Sequence, residues 1–403
     1  MKKAILTMMT TAFFCFGLMG HARAMDGPGG VDIHGFIAQG FLISSEYNYL
    51  SHKSTDGSFE YNEMGINFSK DLTDKLRLGI QFFARDIGDA ANNKVTLDWA
   101  YGDYRWRDWL GIRAGRIKLP LGLYNETRDY DFLRTSIVLP QCNYSDMLRD
   151  TLLAANGLSL YGNAIPLFGA GDLDYQVVMG ALYADLDSGI EKYSNSALQG
   201  AGEIAGAVVY DTLYVGKIRW NTPLSGLALT ADILKVRGKV PMLLLGNSVT
   251  MDSDIQHIRS GIEFTWEDLV LVFEYNYLDA ENTTTLDANQ MMLGEPAKLE
   301  SETYYWGASY RFTDWFEVGA YYGVNYPDKN DKDGNDQPAL GQPKHNAWQK
   351  DIALSLRFDI VQGWIFKLEG HKVNGTAEVL SVDNPDKSEE DWYYGAAKLT
   401  FSF

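Results

Sequence analysis

Cysteine is nearly absent from this chain. Cys15 and Cys142 are the only two among 403 residues. Cys15 falls in an N-terminal segment that reads as a cleaved signal, so no intrachain disulfide is expected in the processed protein. After residue 20 no apolar run approaches the ~20 residues that a spanning helix needs, which excludes a helical membrane protein. Cationic side chains are outnumbered, 35 Lys and Arg against 53 Asp and Glu, and such a surface repels nucleic acid. The six histidines (His21, His34, His52, His257, His345 and His371) are scattered without ligand spacing. No nucleophile–base constellation stands out, so no enzyme activity, cofactor or metal is expected.

What the chain does have begins at its N-terminus. Met1-Lys2-Lys3 is basic, Ala4 to Gly20 is apolar, and His21-Ala22-Arg23-Ala24 is a small-x-small cleavage site. This pattern reads as a secretory signal peptide over 1–24, with 25–403 as the exported domain. The alternative, an N-terminal anchor, has too short an apolar run. Losing Lys2, Lys3 and Arg23 leaves 32 cations against 53 acids, or −21. Export without a spanning helix leaves two options, a soluble protein or a transmembrane β-barrel. The 24 Tyr, 10 Trp and 19 Phe suit the second, because barrels carry aromatic belts at both membrane interfaces.

Alternation of apolar and polar residues marks one face to lipid and one to the lumen. Sixteen segments show it: 31–44, 58–69, 75–87, 94–106, 109–116, 156–162, 173–184, 212–220, 227–236, 254–266, 269–279, 302–312, 315–326, 348–358, 364–372 and 392–403. In the fourth, Val95, Leu97, Trp99 and Tyr101 read as outward, with Thr96, Asp98 and Ala100 inward. Short turns follow the even segments, the one after the sixth being longer, and long loops follow the odd ones, including 237–252 and 280–299. The chain ends Lys398-Leu-Thr400-Phe-Ser402-Phe403, an alternating strand with a terminal aromatic of the kind that barrel-insertion machinery reads. The fold class expected is all-β, a 16-stranded antiparallel transmembrane barrel, wide enough to leave an aqueous channel.

One stretch breaks the pattern. Ile117 to Ala155 follows the fifth strand and has neither a sustained period of two nor a strong helix. A structureless insert of this length is usually functional. We expect it to fold into the barrel mouth and narrow the pore. It concentrates charge, with Arg116, Lys118, Arg128, Arg134 and Arg149 against Glu126, Asp129, Asp131, Asp146 and Asp150. Arcs of charge at a constriction select ions by sign; the same charges could instead pin the segment to the wall. Tyr124, Tyr130, Phe132 and Leu133 are the expected wall anchors.

Parity places Arg77, Arg113, Lys217, Arg219, Arg259, Arg311, Arg357, Lys367 and Lys398 inward, with Glu63, Asp98, Asp174, Asp232, Glu263, Glu274, Glu317 and Glu369. The bland reading of any one of them is cross-strand pairing in a wet interior. The candidate pore-lining set is Arg113, Arg116, Lys118, Glu126, Arg128, Asp129, Asp131, Arg134, Lys217, Arg259, Glu263 and Lys367. The acidic run Asp328 to Asp336 fits a calcium loop poorly. Setting Gly334 at the sixth position puts Lys329 and Leu340 where ligands belong.

Arg113-Ala-Gly115-Arg116-Ile-Lys118-Leu-Pro120-Leu-Gly122-Leu-Tyr124, followed by Asp129-Tyr-Asp131-Phe-Leu-Arg134, is similar to the start of the constriction loop in the phosphate-selective porin O and P superfamily. Trp364-Ile-Phe366-Lys-Leu368-Glu-Gly370-His371-Lys-Val-Asn374-Gly resembles late strands of Gram-negative porins of that type. The resemblance implies a homotrimeric channel in the bacterial outer membrane, in contact with lipid and lipopolysaccharide. It does not carry over a phosphate site, because inward acids interrupt the candidate arginine ladder. The expected function is a passive diffusion channel for small hydrophilic solutes or ions. A substrate-specific channel for phosphate or organic anions is the nearer alternative, favoured if Arg113, Arg116, Lys118 and Arg134 share one face. A barrel that only anchors an enzyme or adhesin is the more distant one.

Overall fold

The structure is a computed structural model that describes residues 25–403, apart from 28, 89, 187, 188 and 199. The expected signal segment, 1–24, lies outside the described residues. Among the described residues, three of the nineteen strands are short: Met25–Gly27, Gly202–Ile204 and Met291–Met292. The other sixteen build the barrel. They are β1 (Val31–Ser44), β2 (Tyr61–Thr73), β3 (Leu76–Ile87), β4 (Thr96–Arg107), β5 (Leu110–Lys118), β6 (Ala154–Pro166), β7 (Asp172–Ala184) and β8 (Val208–Asn221). The second half comprises β9 (Leu227–Leu244), β10 (Asn247–Trp266), β11 (Leu269–Leu286), β12 (Ala297–Thr313), β13 (Phe316–Tyr326), β14 (Gln349–Val361), β15 (Trp364–Gly375) and β16 (Asp391–Ser402). Each pairs antiparallel with its neighbour in the chain, and β16 closes on β1 from Tyr394↔Ser44 to Ser402↔Phe36. Closure leaves no edge, so every strand finds its backbone partners within the protein, as a lipid environment demands.

The alternation does what the pattern implies over most of the wall. On β10, Ile258 and Ile262 face out and are exposed, while Arg259 between them is buried. Large aromatics gather at the short-turn end of the outer surface. Trp106 and Trp109 meet edge-on at 5.4 Å, and Trp266, Phe312 and Trp315 are each more than half exposed or nearly so. Such a girdle marks one membrane interface.

Three local expectations are overturned. Trp99 and Tyr101 turn inward, because Gln81 pairs with Trp99 and Phe82 with Leu97, leaving Asp98 as an extra residue. A bulge of this kind shifts the alternation by one. Beyond it Tyr101 lies under the Arg113 guanidinium, while Tyr104 and Trp106 face out. The stretch 237–252 is not a loop: β9 and β10 run on to a two-residue turn at Leu245-Gly246, whose positive φ values of 49° and 80° suit a tight hairpin. Arg237 bonds Asp254 across this extension at 2.6 Å. Likewise β11 and β12 take up half of 280–299, leaving 287–296 between them. The loop after β7 holds a helix, Gly189–Ala197.

The outer half of the barrel is filled by its own loops. Ile190, Leu198 and Ile204 pack inward on Leu213, Leu234 and Val236. Tyr47 and Tyr49 pack against Trp392 at 5.7 and 5.0 Å. Asn48 and Asn384 bond reciprocally between the first and last external loops.

Candidate functional site: a segment latched across the lumen

Between β5 and β6 the stretch without strand runs from 119 to 153, slightly inside the expected 117–155. Pro120 removes a ladder donor just past β5, and Pro140 precedes a single turn, Gln141–Tyr144. Two further short turns, Asp131–Leu133 and Arg149–Leu152, are the only regular pieces. The Asn125 amide ties the two ends together, donating to the Leu119 carbonyl at 2.9 Å and the Leu152 carbonyl at 2.8 Å.

Irregular backbone enclosed by a barrel leaves N–H and C=O groups that no ladder can meet. Charged wall side chains meet them here. Asp232 on β9 accepts from the Gly122 N–H at 2.8 Å, and Glu274 on β11 from the Leu123 N–H at 2.8 Å. Glu369 on β15 accepts from Ile137 and Val138 at 2.7 and 2.9 Å, and Glu317 on β13 accepts from the Thr135 hydroxyl. Cations cap the carbonyls: Lys217 on Gly122 at 2.7 Å, Lys367 on Asp131 and Ser136, and Arg357 on Phe132 and Arg134. Tyr144 and Tyr305 add hydroxyls to Glu274 at 2.5 and 2.7 Å. Attachments on β8, β9, β11, β13, β14, β15 and β16 mean that the segment crosses the lumen rather than lining one side.

Two ion clusters hold it on the near side and at its tip. In the first, Asp129 receives Lys118 at 3.0 Å and Arg149 at 2.8 Å; Arg149 also reaches Asp98 at 2.8 Å and lies over the Phe83 ring at 4.0 Å. Arg128 joins through Asp146 at 3.0 Å, and Arg85 reaches Asp150 at 3.3 Å. In the second, Asp131 receives Arg134 and Lys398 at 3.0 Å, the Thr400 hydroxyl at 2.7 Å, and Lys367 at 3.8 Å. Burial alone would raise the Asp129 carboxyl, yet Arg149 and Lys118 hold it well below the usual carboxylate range. The same holds for Asp131, where Lys398, Lys367 and Arg134 outweigh burial.

The candidate residues therefore divide. Lys118, Arg128 and Asp129 share the first cluster; Asp131, Arg134 and Lys367 share the second; Lys217, and Arg259 through Asp232 at 2.9 Å, meet at Gly122. Arg113 stands apart, paired with Asp103 at 3.0 Å over the Tyr161 ring. Arg116 donates to the Asp98 carbonyl at the bulge. Glu263 pairs with Arg219 near the turn end. Glu126 is half-buried and, among the described residues, its carboxylate has no ion partner. Phe132 and Leu133 are not wall anchors: they are 41 and 56 % exposed, and Ile137 and Val138 are the buried pair instead. Arg85, Asn125 and Tyr305 were not legible as site residues. Each is an ordinary strand or loop position until the segment is brought against it.

The segment separates two chambers. One, of about 410 Å³, lies toward the short turns and is bordered by Phe132, Arg134, Arg311 and Arg357. The other, of about 370 Å³, lies toward the external loops. Among the described residues no cluster of three or more His, Cys, Asp or Glu could hold a metal ion.

No family model and no curated protein matches the sequence. Solved structures do resemble it. The anion-selective porin of Comamonas acidovorans has 13 % identity over 93 % of this chain and 99 % of its own, with a TM-score of 0.53. The outer-membrane channel DcaP of Acinetobacter baumannii has 13 % identity over 95 % of this chain and all of its own, with a TM-score of 0.55. The trimer form of OmpT, an outer membrane protein of Vibrio cholerae, has 10 % identity over 93 % of this chain and 99 % of its own, with a TM-score of 0.55. At these identities the likeness is one of fold: the chain is a closed 16-stranded β-barrel of the porin type, an architecture that belongs to the bacterial outer membrane.

Proposed function

We propose that the protein is a passive outer-membrane channel for small hydrophilic solutes or ions, narrowed by residues 119–153. The observation that carries this is the ring of attachments from β8 round to β16, which holds the segment across the lumen. A barrel serving only as an anchor has no need of a segment bonded across its lumen between two chambers. Transport needs no turnover and no cofactor.

The engaged charges bear on selectivity. An anion channel of the phosphate-selective kind would use cations free to meet the solute. Here Lys118, Arg134 and Arg113 are each paired with an aspartate, and Arg116 caps a carbonyl. The unpaired group on the segment is an acid, Glu126. We therefore assign a weak preference for cations. The second reading, an anion-specific channel, draws on Arg134, Arg311 and Arg357, which border the turn-side chamber. Assembly as a homotrimer is part of the proposal, supported by the trimer form of one fold relative.

The test is single-channel recording in a planar bilayer under a salt gradient. Ohmic steps with a cation-directed reversal potential support the reading, and an anion-directed one selects the alternative. Folded protein with no conductance rejects both.

A further inference from the structure

General-diffusion lumens are polar, but one wall of this barrel's external chamber is not. Its wall on β8 to β12 is built from Leu213, Leu234, Val236, Ile255, Leu278 and Leu299. These are inward positions, where a water-filled pore gains nothing from hydrocarbon. The floor is Gln141, Cys142 and Asn143 with Met147 and Leu148, and the roof includes Ile190 and Tyr193 of the external helix. Lys192 of that helix is tied to Asp383 at 2.8 Å and to the Gly88 carbonyl at 2.9 Å, so the roof is fastened on two sides. At about 370 Å³ the chamber falls in the range of small-molecule sites.

Polar groups without partners face this space. Asn276 is 2 % exposed, and its side-chain oxygen is buried with no hydrogen bond. A buried acceptor left unmet is uncommon and calls for a partner. The Asn143 amide nitrogen, also on the lining, is likewise unmet. His257 supplies a third group. Its Nδ1 lies 2.6 Å from the Arg259 guanidinium, which can only donate, so Nδ1 accepts and the ring is neutral with its proton on Nε2. That N–H has no protein partner among the described residues. The chamber thus offers one orphan acceptor and two orphan donors in an apolar wall. Its charged groups are already engaged: Asp383 by Lys192, and Glu378 by Tyr49, Gln349 and Asn325.

We propose that this chamber is a binding site for uncharged solutes with a compact apolar body and one hydroxyl or amide head, held on their way to the constriction. The head would donate to Asn276 and accept from His257 or Asn143, while the body displaces water from the leucine wall. A carboxylate or phosphate would meet Asn276 Oδ1 as a second acceptor and lose its hydration. This rests on the channel reading for the route but not for the binding.

The experiment measures binding and block separately. Calorimetry on the detergent-solubilised full chain compares benzamide, benzoate and glucose, and bilayer recording asks whether each interrupts the current. Benzamide is expected to bind at least tenfold more tightly than either of the others and to give brief, concentration-dependent blocks. Asn276→Leu, shown folded by its heat-modifiable migration, should weaken benzamide binding about tenfold. Equal affinity for all three probes, tighter binding of benzoate, or no binding to wild-type protein overturns the site. Wild-type affinity in Asn276→Leu overturns the role given to that residue. Benzamide binding by a barrel that carries no current keeps the site and removes the channel.

Discussion

Replacing Asp131 with Asn tests whether charge holds the segment in place. Asp131 is 3 % exposed and meets Arg134, Lys398 and the Thr400 hydroxyl within 3.0 Å, with Lys367 at 3.8 Å. The amide keeps the size of the side chain but removes the anion and turns one acceptor into a donor facing donors. Three cations then share Glu63 alone, through Lys398. Removing one partner from a buried ion pair typically costs about 3–5 kcal/mol. The barrel is held by sixteen strands, so the cost falls on local opening of the segment, where each ~1.4 kcal/mol is a tenfold change in population. Hydrogen exchange over Phe132 to Val138 should therefore lose protection by at least about a hundredfold, while peptides from β9 and β10 stay unchanged. The double variant Asp131→Asn with Arg134→Met should recover part of that loss, because Arg134 is left without a carboxylate partner whereas Lys398 keeps Glu63. Unaltered protection in the single variant, or no recovery in the double, would refute an electrostatic latch.

Further outcomes follow from the same contacts. Glu126→Gln should move the reversal potential toward zero; an ion passing ~8 Å from one charge in water feels about 0.5 kcal/mol, roughly a twofold change in permeability ratio. Glu369→Ala leaves the Ile137 and Val138 N–H groups unmet, at about 1–3 kcal/mol each, and should speed maleimide labelling of Cys142, whose thiol burial pushes to a higher pKa. Burial raises Glu378, in the last external loop, to about 7, although Tyr49 and Asn325 donate to it. A carboxyl raised above its ordinary 4.5 loses stability as pH climbs from there to about 7. Exchange of residues 376–383, corrected for its intrinsic rate, should be faster at pH 8 than at pH 5, and Glu378→Gln should abolish the difference.

The barrel was legible because its period of two is strong wherever one face meets lipid. Ile258 and Ile262 around Arg259 need no tertiary information. The misreadings fall where that signal is weak or shifted. At Asp98 a single extra residue reverses the faces of Trp99 and Tyr101, and nothing local to the sequence announces it. In 237–252 Gly238 and Pro241 are poor strand formers, yet both sit in a paired hairpin whose register is set by its partner strand. The charged segment could be found by its lack of pattern. What it touches could not, because its partners lie up to 269 residues away, as Thr400 does from Asp131.

The acids and cations of this lumen cannot be read as a selectivity filter until those bonded to the segment are set aside. Seven wall cations are engaged (Arg85, Lys118, Lys217, Arg259, Arg357, Lys367 and Lys398), and six wall acids (Glu63, Asp98, Asp232, Glu274, Glu317 and Glu369). The segment itself brings three cations and five acids. The whole assembly is ten against eleven, nearly neutral, with the excess acid at Glu126. Deleting Tyr124 to Arg134 removes two cations and three acids and leaves eight against eight. The shortened protein should conduct more per channel, because the lumen is less obstructed, and should lose its cation preference at the same time. A larger conductance with the preference intact would place the selecting charge on the external loops; a smaller conductance would mean that the segment does not narrow the pore.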